Sequence, residues 1–233
     1  MAARGYGQYC GVATAVELIG ERWALLIVRD LLVGPRRYTD LKAGLPRIPT
    51  NILSTRLKDL QAGGVVRRVP IARCGLVYEL TPYGRELEPI VVALGRWGFT
   101  RMGDPREGDV VTPDSLTIAL RTAFQVGVAA SMPDTAYELH VGDIVLRADV
   151  RRGELAVAQL APALPPVGGR PPEGDPDVVL AAGPAIRSVI SGELSPADAV
   201  EQGLAHVLQG DPALFERFAR VFHIDPGPAE IAA

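Results

Sequence analysis

The chain has 233 residues, 48% of them hydrophobic and 22% charged, which is long for one domain and comfortable for two, each with a core of its own. No apolar run approaches the roughly 20 residues of a membrane span. The first residues lack the pattern of a secretory signal, so no membrane partner is expected and the expected compartment is the cytoplasm. Two cysteines, Cys10 and Cys74, exclude a disulfide framework, and neither they nor His140, His206 and His223 show metal-site spacing, so no metal or other cofactor is expected. The net charge of −3 conceals an asymmetry: Met1 to Gly103 carries 15 Lys+Arg against 8 Asp+Glu, and Asp104 to Ala233 carries 9 against 19. A basic first half suits a polyanionic partner; the acidic second half would be repelled by one.

In chain order, a helix is predicted over Val12 to Ile19, ended by Gly20, then one over Arg22 to Val33 that is apolar nearly all round and reads as the central core helix. Gly34-Pro35 ends it. A short helix (Tyr38 to Ala43) leads through Leu45-Pro46-Arg47-Ile48-Pro49 into a helix over Asn51 to Ala62, stopped by Gly63-Gly64. Two strands follow, Val65 to Val69 and Val77 to Leu80, with Arg73, Cys74 and Gly75 at the tip between them. Helix, turn, helix and basic hairpin is the order of a winged helix-turn-helix, whose commonest use is to set one helix in the major groove of DNA. Thr81 and Pro82 then open a long helix to about Phe99, kinked at Pro89.

Within Asn51 to Ala62, Leu53, Leu57 and Leu60 repeat at i, i+4 and i+7 and should face the core. Asn51, Ser54, Thr55 and Lys58 fall on the opposite face, where amides, hydroxyls and one ammonium can meet base edges and phosphate oxygens. Thr50 reads as the N-cap, aiming the helix N-terminus at phosphate or bases. Arg67, Arg68 and Arg73 on the hairpin, with Arg36 and Arg37 before the first helix of the pair, complete the candidate DNA-binding set.

The residues Tyr9-Cys10-Gly11-Val12, Ile19-Gly20-Glu21-Arg22-Trp23-Ala24-Leu25-Leu26-Ile27, Gly34-Pro35-Arg36-Arg37-Tyr38-Thr39-Asp40-Leu41, Ile52-Leu53-Ser54-Thr55-Arg56-Leu57-Lys58-Asp59-Leu60, Tyr78-Glu79-Leu80-Thr81-Pro82-Tyr83-Gly84 and Leu94-Gly95-Arg96-Trp97 together resemble the HxlR family of bacterial winged-helix transcription regulators. The resemblance covers about residues 6 to 100. It implies a homodimer on inverted repeats of double-stranded DNA, with the terminal helices in contact. Val16 on the first helix, and the stripe Leu87, Ile90, Val91, Leu94 and Trp97 on the last, would make that contact. Cys10 lies where family members often carry a cysteine that in some senses oxidants or electrophiles. A thiol at a helix N-terminus, with Arg4 near in sequence, can react as thiolate. The family often has Pro after this cysteine, where this chain has Gly11.

The polar stretch 102–112 reads as a linker. Beyond it the pattern predicts a helix over Pro113 to Phe124, strands over Tyr137 to Val141, Ile144 to Val150 and Leu155 to Leu160, and an irregular loop over Ala161 to Pro176. A strand over Asp177 to Ala181 follows, then helices over Pro184 to Ser191 and Pro196 to Gly203, a strand over Ala205 to Gln209 and a helix over Pro212 to Phe222. The fold class is therefore α+β: a winged helix-turn-helix domain over 1–101 and an α+β domain over 113–225, with a tail over 226–233. No nucleophile elbow, HExxH or phosphate loop is present, so an enzyme is not expected; His206 reads as structural and His223 as a helix-end cap. Asp177-Val178-Val179-Leu180, the run Ile186 to Pro196, Asp198-Ala199-Val200-Glu201-Gln202-Gly203 and Val207-Leu208-Gln209-Gly210-Asp211 resemble sterol carrier protein-like domains. That resemblance implies an apolar ligand between sheet and helices, hence a hydrophobic small-molecule effector. The competing reading is a hydrophobic-ligand carrier whose winged helix only meets other proteins.

Overall fold

The computed structural model describes residues 5–71, 75–161, 172, 174–183 and 186–226. Its contacts divide the chain into two units, Met1–Val91 and Val92–Ala233. No helix among the described residues is long and apolar enough to cross a membrane.

The first unit is built from α1 (Gly11–Ile19), α2 (Ala24–Val33), α3 (Tyr38–Gly44), α4 (Thr50–Ala62), the hairpin β1 (Val66–Ile71) and β2 (Gly75–Leu80), α5 (Pro82–Arg85) and the start of α6 (Glu88–Phe99). Ile27, Val28, Leu31 and Leu32 of α2 are buried, as are Leu41 of α3 and Leu53, Leu57 and Leu60 of α4. The same helix, read as apolar nearly all round, also buries Asp30 completely, with Arg29 Nη2 2.7 Å from its carboxylate. A carboxylate at that depth persists only beside a countercharge. The predicted start at Arg22 moves to Ala24, because Trp23 takes φ +81° and breaks the helix before it begins. The Arg22 guanidinium lies 5.4 Å from the Trp23 ring centroid, a cation–π contact.

The predicted kinked helix to Phe99 is two helices. Thr81 Oγ1 caps α5 by accepting from the Gly84 amide at 3.0 Å, and donates to the Gly64 carbonyl at 2.6 Å. Gly84 is obligatory here, since a Cβ would collide with the Val65 carbonyl oxygen. The chain then restarts at Glu88, which leaves Pro89 in the first turn of α6, where a missing N–H costs no hydrogen bond.

The second unit takes over within α6, ahead of the stretch 102–112 read as the linker. Gly95 allows close approach to Thr122, whose Cγ2 would lie 3.1 Å from an added Cβ, and Arg96 Nε donates to the Thr122 carbonyl at 2.9 Å. The unit continues with α7 (Pro113–Ala123), α8 (Val126–Ala130), β3 (Thr135–Val141), β4 (Ile144–Arg151), β5 (Glu154–Ala161), β6 (Val178–Ala182), α9 (Ile186–Ile190), α10 (Pro196–Glu201), β7 (Ala205–Gly210) and α11 (Ala213–Val221). The sheet order is β5-β4-β3-β6-β7, with β3 and β6 parallel and the other pairs antiparallel. Most of the predicted loop over Ala161 to Pro176 lies outside the described residues.

Aromatic rings centre the core of this unit. Tyr137 of β3 meets Phe218 edge-on at 5.5 Å and Phe222 at 5.9 Å, and Phe218 lies 4.7 Å from Phe222. Burial pushes the Tyr137 phenol above its ordinary range. The histidines differ from expectation too. His206 is exposed on the edge strand β7, and His223 Nε2 lies 3.0 Å from Asp225 Oδ1 instead of capping a carbonyl with its ring.

Candidate nucleic-acid interface

Burial of Leu53, Leu57 and Leu60 turns the other side of α4 to solvent, and Asn51, Thr55 and Lys58 are exposed there. Thr55 Oγ1 donates to the Asn51 carbonyl at 2.9 Å, which leaves its lone pairs able to accept from a donor. Ser54 is half-buried, with the Tyr38 hydroxyl 3.2 Å from its Oγ and donating to the Thr50 carbonyl at 2.8 Å. Tyr38, which pattern reasoning did not single out, thus braces α3 against the first turn of α4. The aromatic residue one position into α3 was the available signal.

Thr50 is not the N-cap. Pro49 occupies that position, and no side chain caps the helix. Proline fixes the extended approach to the helix and supplies no side-chain acceptor, so the first-turn amides keep their attraction for an anion. Arg47, exposed in the preceding turn, adds positive charge close by in sequence.

On the hairpin, Arg67 faces Glu79 across the ladder, and their side chains pair at 2.6 Å. This pairing reduces what Arg67 offers a phosphate. Arg68 lies with its guanidinium 5.7 Å from the Tyr78 ring centroid and is exposed, so its full charge faces solvent. Arg36 was expected at the surface and is instead 5% exposed. Its backbone exchanges hydrogen bonds with Tyr78 at 2.9 and 2.8 Å, adding a bridge to the hairpin, and its Nη1 donates to the Pro35 carbonyl at 3.0 Å. The guanidinium belongs to the fold, not to the surface. Arg37 is half-buried at the start of α3, where its amide donates to Asp40 Oδ2 at 2.9 Å. Arg73, Cys74 and Arg4 lie outside the described residues.

The stripe on α6 also divides. Ile90 (47%), Leu94 (42%) and Trp97 (75%) are exposed, at i, i+4 and i+7, whereas Val91 is buried and Leu87 half-buried. Val91, buried in the single chain, has little surface to offer a partner and is removed from the contact set. Val16 on α1 is 39% exposed.

Cys10 is exposed at the N-cap of α1, and the backbone amides of Ala13 and Val12 hold its thiol below the ordinary cysteine range. In a Cys74→Ser background, the alkylation rate by iodoacetamide should reach half its plateau at lower pH in the folded chain than in urea. Identical midpoints would contradict this.

A short two-helix unit joined by a turn, followed by a two-stranded basic hairpin, defines the winged helix-turn-helix class of DNA-binding proteins. Residues 18–105 match the HxlR-like helix-turn-helix. The HTH-type transcriptional regulator YvaP of Bacillus subtilis (strain 168) is 39% identical over 93 residues, 39% of this chain and 85% of that protein. The HTH-type transcriptional regulator Rv3095 of Mycobacterium tuberculosis (strain ATCC 25618 / H37Rv) is 43% identical over 89 residues, 37% of this chain and 56% of that protein. Among solved structures, the reduced form of the transcriptional regulator YodB from B. subtilis is 29% identical, with a TM-score of 0.35, covering 39% of this chain and 92% of that one. The chain belongs to the HxlR-like helix-turn-helix family, and is a DNA-binding transcription regulator.

Proposed function

We propose that the protein works as a homodimer on inverted DNA repeats, with α4 in the major groove and the β1–β2 wing on the backbone. The exposed face of Asn51, Thr55 and Lys58 is the observation that carries this reading. It is polar, lightly charged and backed by a leucine row that fixes its orientation. Exposed Ile90, Leu94 and Trp97 form an apolar row on α6 suited to the dimer contact, and Val16 on α1 is exposed as well. The α+β domain over about 113–225, which lies within the second unit, is the sensing or assembly part. Its sheet with helices over a buried core agrees with the sterol carrier protein-like resemblance, which points to a hydrophobic effector.

The carrier alternative leaves the polar face of α4 without a purpose. Fluorescence anisotropy on DNA from upstream of the protein's own coding region separates the two. Log affinity should fall linearly with log salt, and Lys58→Ala and Arg68→Ala should each reduce the slope by about one unit. No binding at either low or moderate salt would favour the carrier.

A second reading adds thiol control to the first, on the exposed, activated position of Cys10. Electrophile treatment should then change DNA affinity in the wild type and leave Cys10→Ser unaffected. Equal affinities before and after treatment in the wild type would end it.

A further inference from the structure

Between sheet and helices the second unit buries Tyr137, Phe215, Phe218 and Phe222, and an opening lies elsewhere in it. Where α6 runs out, a cleft of about 300 Å³ opens among Phe99 to Gly103, Arg187, Ser191, Glu193 and Pro226. That volume is at the small end for a ligand site. Its walls are of two kinds. Phe99, Met102 and Pro226 offer a ring, a thioether and a pyrrolidine, surfaces that favour a compact apolar body. Arg187 lines it too, and its Nη2 and Nη1 lie 2.6 and 3.3 Å from the two carboxylate oxygens of Glu193.

This is the two-pronged geometry in which arginine recognises a carboxylate. The Arg187 side chain is only 15% exposed, while Glu193 is 45% exposed. The cation is therefore set into the wall, and its partner reaches it from the solvent side. Glu193 follows Gly192, whose φ of +73° turns the chain back, and its amide lies 3.4 Å from Ser191 Oγ. Ser191 itself is 2% exposed and donates to the Ser188 carbonyl at 3.1 Å. The guanidinium also lies 3.5 Å from Ser188 Oγ, and the carboxylate on it is carried by an exposed turn.

We propose that this cleft binds a small monocarboxylate with a compact apolar body, whose carboxylate takes the place of Glu193 on Arg187 while its body lies against Phe99, Met102 and Pro226. The proposal rests on the reading that the second unit senses a small molecule, and names the site and the chemistry. Glu193 acts as an internal occupant that an incoming carboxylate must displace. Ligand entry would free the Glu193 turn at the end of α6.

Calorimetric titration of the full chain with 3-phenylpropanoate and with octanoate, each against its neutral amide, tests the site and distinguishes an aromatic from an aliphatic body. Binding of either acid but not its amide is expected. Glu193→Gln should tighten it by about fivefold, because a partly exposed ion pair no longer competes. Arg187→Met should abolish it, with the thermal melting of each variant recorded as the folding control. No binding of either acid by Glu193→Gln, which retains the guanidinium and lacks the competitor, would overturn the proposal. So would equal binding of acid and amide. The same titration repeated on the DNA complex separates this site from the sensing reading. Acid binding with an unchanged DNA affinity would keep the cleft and remove the sensing.

Discussion

Leu94→Glu should turn the protein into a monomer and lower its affinity for an inverted repeat by about a hundredfold or more, the avidity lost when two linked half-site readers become independent. Leu94 is the middle member of the exposed row Ile90, Leu94 and Trp97, with 42% of its surface open in the single chain. A carboxylate there would have to be desolvated among apolar side chains when two copies meet, which costs far more than lost contact area alone. In the single chain the position faces water, so folding should be little affected, within about 0.5 kcal/mol. Sedimentation velocity reads the first effect and anisotropy on a two-half-site duplex the second, with the melting temperature as control. A stable dimer in Leu94→Glu would place the contact elsewhere.

The largest loss of stability is expected at Phe218. The side chain is fully buried and touches the rings of Tyr137, Phe215 and Phe222, so Phe218→Ala removes both its own transfer free energy and support for three neighbours. Truncation of a core phenylalanine costs about 3–5 kcal/mol, a large share of a domain's whole stability. Urea unfolding followed by circular dichroism should show a transition displaced to lower denaturant, and the first unit's DNA affinity should persist if its transition is separate. A shift worth less than about 1 kcal/mol would mean that the aromatic cluster is not the centre of the second core.

How much of this could be read from residue order depended on whether neighbours in sequence decided the outcome. The leucine row of α4 follows from a helical period, so the outward face of Asn51, Thr55 and Lys58 was legible before any coordinates. The burial of Arg36 was not, because it depends on a bridge to Tyr78, far along the chain. Neither was the pairing of Arg67 with Glu79, which is set by hairpin register. Thr50 carries good capping chemistry, and Pro49 took the position because proline holds the extended conformation a helix entry requires. Pro89 was legible as a disruption and was misread as a kink, since nothing local said that the helix would restart one residue before it. In the second unit the strands alternate clearly, whereas α8, five residues long, is too short for a helical period to show. The gathering of Tyr137, Phe215, Phe218 and Phe222 into one core depends on the sheet order, in which β6 lies beside β3, and no local pattern carries that.

The claim on which the rest depends is that the exposed face of α4 reads base edges. The most direct measurement is the ratio of affinities for the protein's own upstream DNA and for a scrambled duplex at fixed salt, in wild type and in Asn51→Ala. The account predicts that the ratio falls by the equivalent of about 1–3 kcal/mol while affinity for the scrambled duplex and the melting temperature hold. A ratio unchanged by Asn51→Ala would contradict it.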